Sequence, residues 1–304
     1  MPPTISVSMA VYNSAPYLQE SVESILGQTF SDFEFLIIDD GSTDNSFAIL
    51  QKYAAQDSRI RLTSRENRGI SKTRNEMLFQ ARGEFIAVID ADDISLSHRF
   101  ARQVEFLRQN PEFVCVGSSV DWIDDKSRFV GHCSMPENND ELQRLMLGGV
   151  SLLHHSSSMF RRIAALGVGG YDESLQTSLD LDLWLKLGEV GKLANLRETL
   201  ILYRLHRNSV TNVRQVQQSQ DALTACQNAW KRRGIQGEFF RQPANHMHQT
   251  NFWLKCGWEG FMNGNREVAR RCGLRAIAIN PLYLENWKLL ACALVKPMPS
   301  PQTD

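Results

Sequence analysis

A chain of 304 residues with 42% apolar side chains is long enough to bury one large α/β core and carry an appendage or a second domain. Its 33 lysines and arginines nearly balance 34 aspartates and glutamates, so the basic footprint of a nucleic-acid binder is excluded and nothing advertises an electrostatic hold on a membrane. No stretch reaches the roughly 18 uninterrupted apolar residues of a spanning helix, and the opening residues MPPTISVSMAVYN lack the charged-then-apolar order of a secretion signal.

We therefore expect a cytoplasmic protein, with peripheral attachment at the inner face of a membrane and oligomeric state left open. Its six cysteines (Cys115, Cys133, Cys226, Cys256, Cys272, Cys292) show neither CxxC pairs nor Cys/His ligand spacing. They read as buried thiols.

In chain order, ISVSMAVYN predicts a strand. SAPYLQESVESILGQT predicts a helix with Leu18, Val22, Ile25 and Leu26 on one face, Ser14 as its candidate N-cap and Pro16 in its first turn. FEFLIIDD is a second strand, closed by GSTDNS, where Asp44 or Asn45 would cap the helix SFAILQKYAAQ. RIRLTSRE is a third strand, and ENRGISKTRNEMLFQARG is a Gly-containing loop running into a helix that stops near Gly83. EFIAVIDADD is a fourth strand, and ISLSHRFARQVEFLRQN a helix after it. Strand and helix in alternation imply right-handed crossovers and a mainly parallel, Rossmann-like sheet covered by helices on both faces. Ligands of such sheets sit at the carboxyl ends of the strands.

Two acidic clusters fall at those ends: Asp39 and Asp40 after the second strand, and Asp90, Asp92 and Asp93 after the fourth. Like charges held close demand a cation or partial protonation. Hard oxygen ligands without cysteine suit Mg²⁺ or Mn²⁺, and a site using one or two carboxylates leaves coordination positions for phosphate oxygens. The pattern therefore points to a metal-bound diphosphate. A solvated turn with helix-capping aspartates is the alternative.

The order SMAVYN, LIIDDGSTD, ENRGISKTRN, FIAVIDADD resembles, segment by segment, the nucleotide-sugar-binding half of family 2 glycosyltransferases, inverting enzymes with a GT-A fold. The resemblance runs over roughly residues 4–210. It implies that Ala10, Val11, Tyr12 and Asn13 wrap the base and ribose, and that Asp39 accepts a hydrogen bond from a uracil N–H with Ser42 nearby. Gly69 would admit backbone close to the nucleotide, and Arg74 and Asn75 would lie beside base and phosphate. Asp90 would contact the ribose and Asp92 would ligate the divalent metal, with Asp93 a second ligand or a helix cap.

Further along, VCVGSSVDWI and LLHHSSSMFRR read as strands, and SLDLDLWLKLGEVG resembles the family's acidic pair followed by a helix. Many relatives carry Glu-Asp where this chain has Leu179-Asp180, so the first acid of the pair is missing; the family's usual general base, the Asp of that pair, maps to Asp180, and Asp182 is equally well explained by the positive end of the helix dipole. ANLRETLILYRLHRNSVT resembles the family's closing segment, with Arg204 folding over the diphosphate, His206 helping hold the metal and Ser209 in a lid; a solvated basic turn around Arg207 is the plainer alternative.

Domain boundaries are expected at 1–212 for the GT-A domain and 213–304 for a helical extension of four helices. The last two of these resemble a tetratricopeptide-like hairpin turning at Asn280-Pro281. The aromatics Phe252, Trp253, Trp258, Phe261 and Trp287 are expected in its core, and His246 and His248 at the surface. The expected activity is sugar transfer from a nucleotide-diphosphate donor, a UDP-sugar first, to a hydroxyl of a glycan, lipid-linked or protein-linked acceptor. A nucleotidyltransferase is the first alternative, although MAVYNSAPYL lacks its Gly-rich, Lys-bearing signature. A non-catalytic binding module is the second.

Overall fold

The computed structural model describes residues 2–206, 215–236, 249–262 and 264–297. Nine strands run through the described residues: β1 Ile5–Val11, β2 Phe33–Asp39, β3 Ile60–Ser64, β4 Phe85–Val88, β5 Ile94–Ser95, β6 Phe113–Ile123, β7 Phe129–Cys133, β8 Met159–Arg161 and β9 Lys192–Arg204. They form one sheet in the order β3-β2-β1-β4-β8-β6-β9-β5, with β7 paired to β6. The first four strands are parallel, with Val11 opposite Asp39 and Ser8 opposite Val88. Beyond β4 the direction changes, because β8 pairs antiparallel with both β4 and β6. The parallel half expected from strand-helix alternation is thus joined to an antiparallel half, built where the chain stops alternating.

The chain forms two compact units, and no single cut separates them. One comprises residues 1–120, 134–203 and 207–242; the other comprises 121–133, 204–206 and 243–304. In the first unit the helices are α1 Ala15–Leu26, α2 Ser46–Gln56, α3 Ile70–Gln80, α4 Arg99–Gln109, α5 Asn139–Met146, α6 Arg162–Gly167, α7 Leu179–Val190 and α8 Gln215–Arg232. β2 is buried along its whole length and β1 nearly so, the pattern of strands covered on both faces. Leu18, Val22 and Ile25 of α1 bury the i, i+4, i+7 stripe anticipated from their spacing. Each such side chain contributes roughly 1.5–3 kcal/mol of transfer free energy.

The second half of this core gathers around Trp184 of α7, which meets Phe160 edge-on at 5.9 Å and donates from Nε1 to the Leu153 carbonyl at 3.1 Å. α8 belongs to it as well: Ala222, Ala225, Cys226 and Ala229 are buried in the same cluster. The helix assigned to an extension from sequence is therefore part of the sheet-bearing unit.

The second unit contains the β6–β7 connection and three helices, α9 Gln249–Met262, α10 Arg266–Ile279 and α11 Leu284–Val295. Phe261, Ala269, Leu289 and Ala293 form its small core, with Trp258 packed against it. Gly257 and Gly260 permit the close approach, since a Cβ there would stand 2.3 Å from Leu289 and 2.6 Å from Val268. Of the other aromatics, Trp253 lies under the Arg275 guanidinium and Trp287 is half exposed. The side chain of Phe252, and Ser209, Arg207, His246 and His248, lie outside the described residues. Five of the six cysteines are buried, Cys133 is partly so, and all six are free thiols. Among the described residues no helix is long and apolar enough to cross a membrane.

At the amino-terminal edge of the parallel strands, the buried Glu34 carboxylate accepts from Ser6 Oγ at 2.6 Å, Arg82 N at 2.8 Å and Arg61 Nη1 at 2.7 Å. Burial works against its charge, yet these donors together hold it below the ordinary value of 4.5. A lowered pKa means that the stabilisation is complete above the unfolded value and is lost as pH falls through the folded one. Glu34→Gln should lower stability by about 1–3 kcal/mol at pH 7 in urea denaturation. The gap to wild type should close as the pH is brought below the ordinary glutamate range.

Candidate active site

The carboxyl ends of β1, β2 and β4 converge, and hydrogen bonds stitch the loops leaving them. Asn13, in the left-handed region at φ 51°, donates from its backbone N to Ser42 Oγ at 2.9 Å and accepts from Thr43 N at 2.8 Å. Asp44 accepts from Ala15 N at 3.1 Å and Ser46 N at 2.9 Å, so one carboxylate holds the starts of both α1 and α2. Neither Ser14 nor Asn45, the N-cap residues of those helices, makes a side-chain cap. Gly41 is obligatory: its φ is 81°, and a Cβ would stand 2.8 Å from Asn67 N. This leaves Tyr12 half exposed beside the partly buried Ala10 and buried Val11.

The cations for the two acidic clusters come largely from the chain itself. Asp40 is ion-paired with Arg65 and accepts from the backbone N of Arg68 at 2.9 Å and of Gly69 at 3.0 Å. Asp90 is ion-paired with the buried Arg74, which also donates to the Ser8 carbonyl at 3.1 Å. Asp93 shares electrostatic reach with Arg99. Arg99 is fully buried and donates to the Val88 and Ser158 carbonyls at 2.9 Å each; burial pulls its guanidinium down to about 9 against the opposing pull of Asp93 and Asp90. The inference that these clusters are bare and demand a metal for all their charge is corrected accordingly. So is the capping role for Asp93, because β5 intervenes and α4 begins after His98.

Asp39 is buried, accepts from Ser64 Oγ at 2.8 Å and from Ser42 N at 3.3 Å. Asp92 is partly exposed in the turn after β4. Among the described residues no group of three or more His, Cys, Asp or Glu is placed to hold a metal ion. The donor set fits an ion that takes one protein carboxylate and draws its other ligands from a diphosphate and water, and does not fit one caged by protein.

Asp90 is the junction of the site. Besides Arg74 it accepts from Ser156 Oγ at 2.8 Å, and His155 Nδ1 lies 3.6 Å away. Burial would raise its pKa, but Arg74, His155 and Ser156 win and hold the carboxyl far below the usual aspartate range. His155 Nε2 is 3.1 Å from Tyr171 Oη, and Tyr171 in turn feels Arg74, Asp90 and Asp180. Burial first, then the two carboxylates, push that phenol well above its ordinary value. Next to it, burial pulls His154 down to about 4.

His155 thus links the Asp90 end of β4 to Tyr171, whose hydroxyl also feels the charge of Asp180. Both His155 and Tyr171 escaped sequence reasoning. LLHHSSSMFRR reads as one strand, whereas only Met159–Arg161 is strand and His155–Ser157 form a 3₁₀ turn. Two histidines ahead of three serines, small residues that favour turns, were the available signal.

Asp180 lies in the first turn of α7, partly buried, with Ser151 Oγ donating to it at 3.3 Å. Asp182 is fully buried 2.6 Å from Lys186, and burial raises its pKa. It lies in the first turn of α7, as the helix-dipole reading has it, with its charge paired within the helix. Gly69, at φ 89°, has nothing within 4 Å of where a Cβ would point, so its backbone face is open.

One other residue is placed elsewhere than expected. Asn75 spends its carboxamide on the 171–173 loop, donating to the Tyr171 carbonyl at 2.9 Å and Glu173 at 3.0 Å and accepting from Tyr171 N at 2.9 Å. Arg204 belongs to the second unit and is buried, with Nη1 donating to the Asp124 carbonyl at 3.2 Å and to Ser127 Oγ at 2.9 Å. It braces the β6–β7 connection. His206, two residues on, is partly buried in the same unit.

A model of Glycosyl transferase family 2 matches residues 6–167, more than half of the chain. The chain belongs to that family. Over 261 residues it is 28% identical to a chondroitin synthase of Escherichia coli, an alignment covering 86% of this chain and 37% of the synthase, so it spans well under half the length of that relative. Its GT-A fold is shared with S. aureus TarS 1–349 in complex with UDP-GlcNAc (TM-score 0.56, 18% identity, 97% of this chain and 72% of that one). It is shared equally with a mannosyltransferase from Pyrobaculum calidifontis in complex with GDP-Man and Mn²⁺ (TM-score 0.58, 18% identity, 98% and 82%). For this glycosyltransferase domain, the Arg74–Asp90 pair is the first electrostatic feature to test. Arg74→Leu should destabilise by about 2–4 kcal/mol, low in the range for an orphaned charge because 35% of the Asp90 side chain reaches solvent. Carboxyl titration by NMR should find Asp90 shifted upward in that variant, and a second change, Asp90→Asn, should recover part of the loss.

Proposed function

We propose that this chain is an inverting, metal-dependent glycosyltransferase that moves a sugar from a UDP-sugar to a hydroxyl of a growing glycan or a lipid- or protein-linked acceptor, in the synthesis of a surface polysaccharide or glycoconjugate. The observation that supports this reading is the placement of Asp39, Asp90 and Asp92 at the carboxyl ends of β2 and β4 in a chain of this family, with Asp180 opening α7. Family membership weighs against the nucleotidyltransferase alternative.

In the proposed reaction the acceptor oxygen attacks the anomeric carbon in line. The bond from that carbon to the diphosphate oxygen breaks, its electron pair leaves with the nucleoside diphosphate, and the acceptor proton passes to Asp180. Asp39, held by Ser64 and Ser42, is oriented to accept from the base N–H, and the exposed Tyr12 ring offers a stacking face. The open backbone at Gly69 gives the nucleotide room. Asp90, kept ionised by Arg74, would accept from the ribose. A divalent ion on Asp92, Mn²⁺ or Mg²⁺, would neutralise the charge that develops on the departing diphosphate. Asn75 is given no nucleotide contact, since its carboxamide serves the 171–173 loop.

Calorimetric titration with UDP, GDP and dTDP, each with and without Mn²⁺, tests the donor side. We expect UDP to bind most tightly and only with metal, and Asp92→Ala to abolish the metal-dependent part. Asp180→Ala should bind UDP as wild type does while transfer falls by roughly 10²–10⁴. Equal loss of binding in both variants would defeat this division of labour.

A further inference from the structure

The matched family segment ends at residue 167, yet the loop that leads into α7 and Asp180 is held by a helix well beyond it. Asp221, on α8 and 6% exposed, accepts through Oδ2 from Thr177 Oγ1 at 2.7 Å, Thr177 N at 2.8 Å and Gln176 N at 3.1 Å. Its Oδ1 accepts from Gln217 Nε2 at 2.8 Å. One turn away, the Gln218 carbonyl accepts from Ser178 Oγ at 3.1 Å. Ser178 is the N-cap residue of α7, but its hydroxyl is committed to α8 and does not cap the helix. Its backbone sits in the left-handed region, φ 49° and ψ 22°, which a serine keeps only where its surroundings impose it.

The other end of the same loop is fixed by α3. Asn75 grips Tyr171 and Glu173, and Ser71 Oγ donates to the Leu175 carbonyl at 2.9 Å. Residues 171–178 are therefore suspended between a helix beside the nucleotide end and a helix outside the family segment, with Asp180 two residues past the left-handed turn. The carboxylate is needed for its capacity: three donors converge on one oxygen, and an ionised acceptor makes the stronger bonds.

We propose that Asp221 is a positioning residue, which imposes the strained Thr177–Ser178 turn and thereby aims Asp180 at the acceptor hydroxyl. The proposal rests on Asp180 being the base. Misplacing a reacting group by about 1 Å costs on the order of 10²-fold. In Asp221→Ala, kcat should fall about 10- to 100-fold while the affinity for UDP with Mn²⁺ stays within about twofold, and Asp221→Asn, which keeps one acceptor oxygen, should restore part of the loss. Turnover is read as UDP release from UDP-glucose, UDP-galactose and UDP-N-acetylglucosamine, with water as the acceptor. On an Asp180→Ala background, Asp221→Ala should cost nothing further, since groups acting through one another are not additive.

An unchanged kcat, or the same factor lost on both backgrounds, overturns the proposal. Full activity of Asp180→Ala alone would instead overturn the base assignment, a separate failure. If Asp221→Ala does not fold, Thr177→Val removes one of the three bonds and should still lower kcat several-fold with UDP affinity kept; no change there is equally fatal. Independently of turnover, amide hydrogen exchange over residues 176–181 must quicken in Asp221→Asn or Thr177→Val, and unaltered exchange refutes the tether.

Discussion

The buried contact between Arg74 and Asp90 is the constraint on which the rest of the site depends. Arg74 leaves α3, reaches under the sheet's carboxyl edge to the Ser8 carbonyl of β1, and meets the carboxylate that follows β4. Asp90 then takes Ser156 and faces His155, so the parallel half of the sheet and the 3₁₀ turn before β8 are fixed to one another by a single charge pair. A buried ion pair is weak evidence for stability, because desolvation offsets much of its attraction. Its value here lies in register. It settles where the end of β4 stands relative to α3, and the loops leaving β1 and β2, proposed to hold the nucleotide, are stitched to one another beside it.

The fold was legible where periodicity carried it. β1 to β4 and α1 to α3 follow from apolar runs alternating with 3.6-residue stripes, and the antiparallel half was also visible as strands, though not as antiparallel. What failed was local and had a physical cause. The apolar flank of HHSSSMF suggested strand, but Ser157 and Ser158 donate, from backbone N and from Oγ, to the His154 and His155 carbonyls and fold it into a 3₁₀ turn instead. Asp93 looked like a cap because β5, only two residues long, leaves no periodicity to detect.

The site was legible as residue types more than as partners. Asp39, Asp90 and Asp92 could be named from order and spacing, whereas Arg65, Arg74 and Arg99 could not be matched to them, because ion pairing across strands is a tertiary fact. The same holds for Asn75, whose neighbour Arg74 reaches Ser8 and Asp90 while it points toward residues 171–173. Adjacent residues on a helix face different directions, and a motif that names both does not say which one meets the ligand.

The pairing of carboxylates with guanidiniums bears on the proposed chemistry. Of the five aspartates at the ends of β2 and β4, Asp40 and Asp90 are ion-paired with arginines and Asp93 lies in the field of a third. A site left with all five charges exposed would repel a diphosphate. With three of them compensated from within, the proposed reading assigns Asp39 to the base as an acceptor and Asp92, partly exposed in the turn after β4, to the metal. Under the proposed reading one divalent ion is then enough to reconcile the remaining negative charge with that of the diphosphate. Under the same reading the arginines buried beneath the strand ends would neutralise the scaffold in advance and leave the charge of a bound metal for the leaving group, where charge develops.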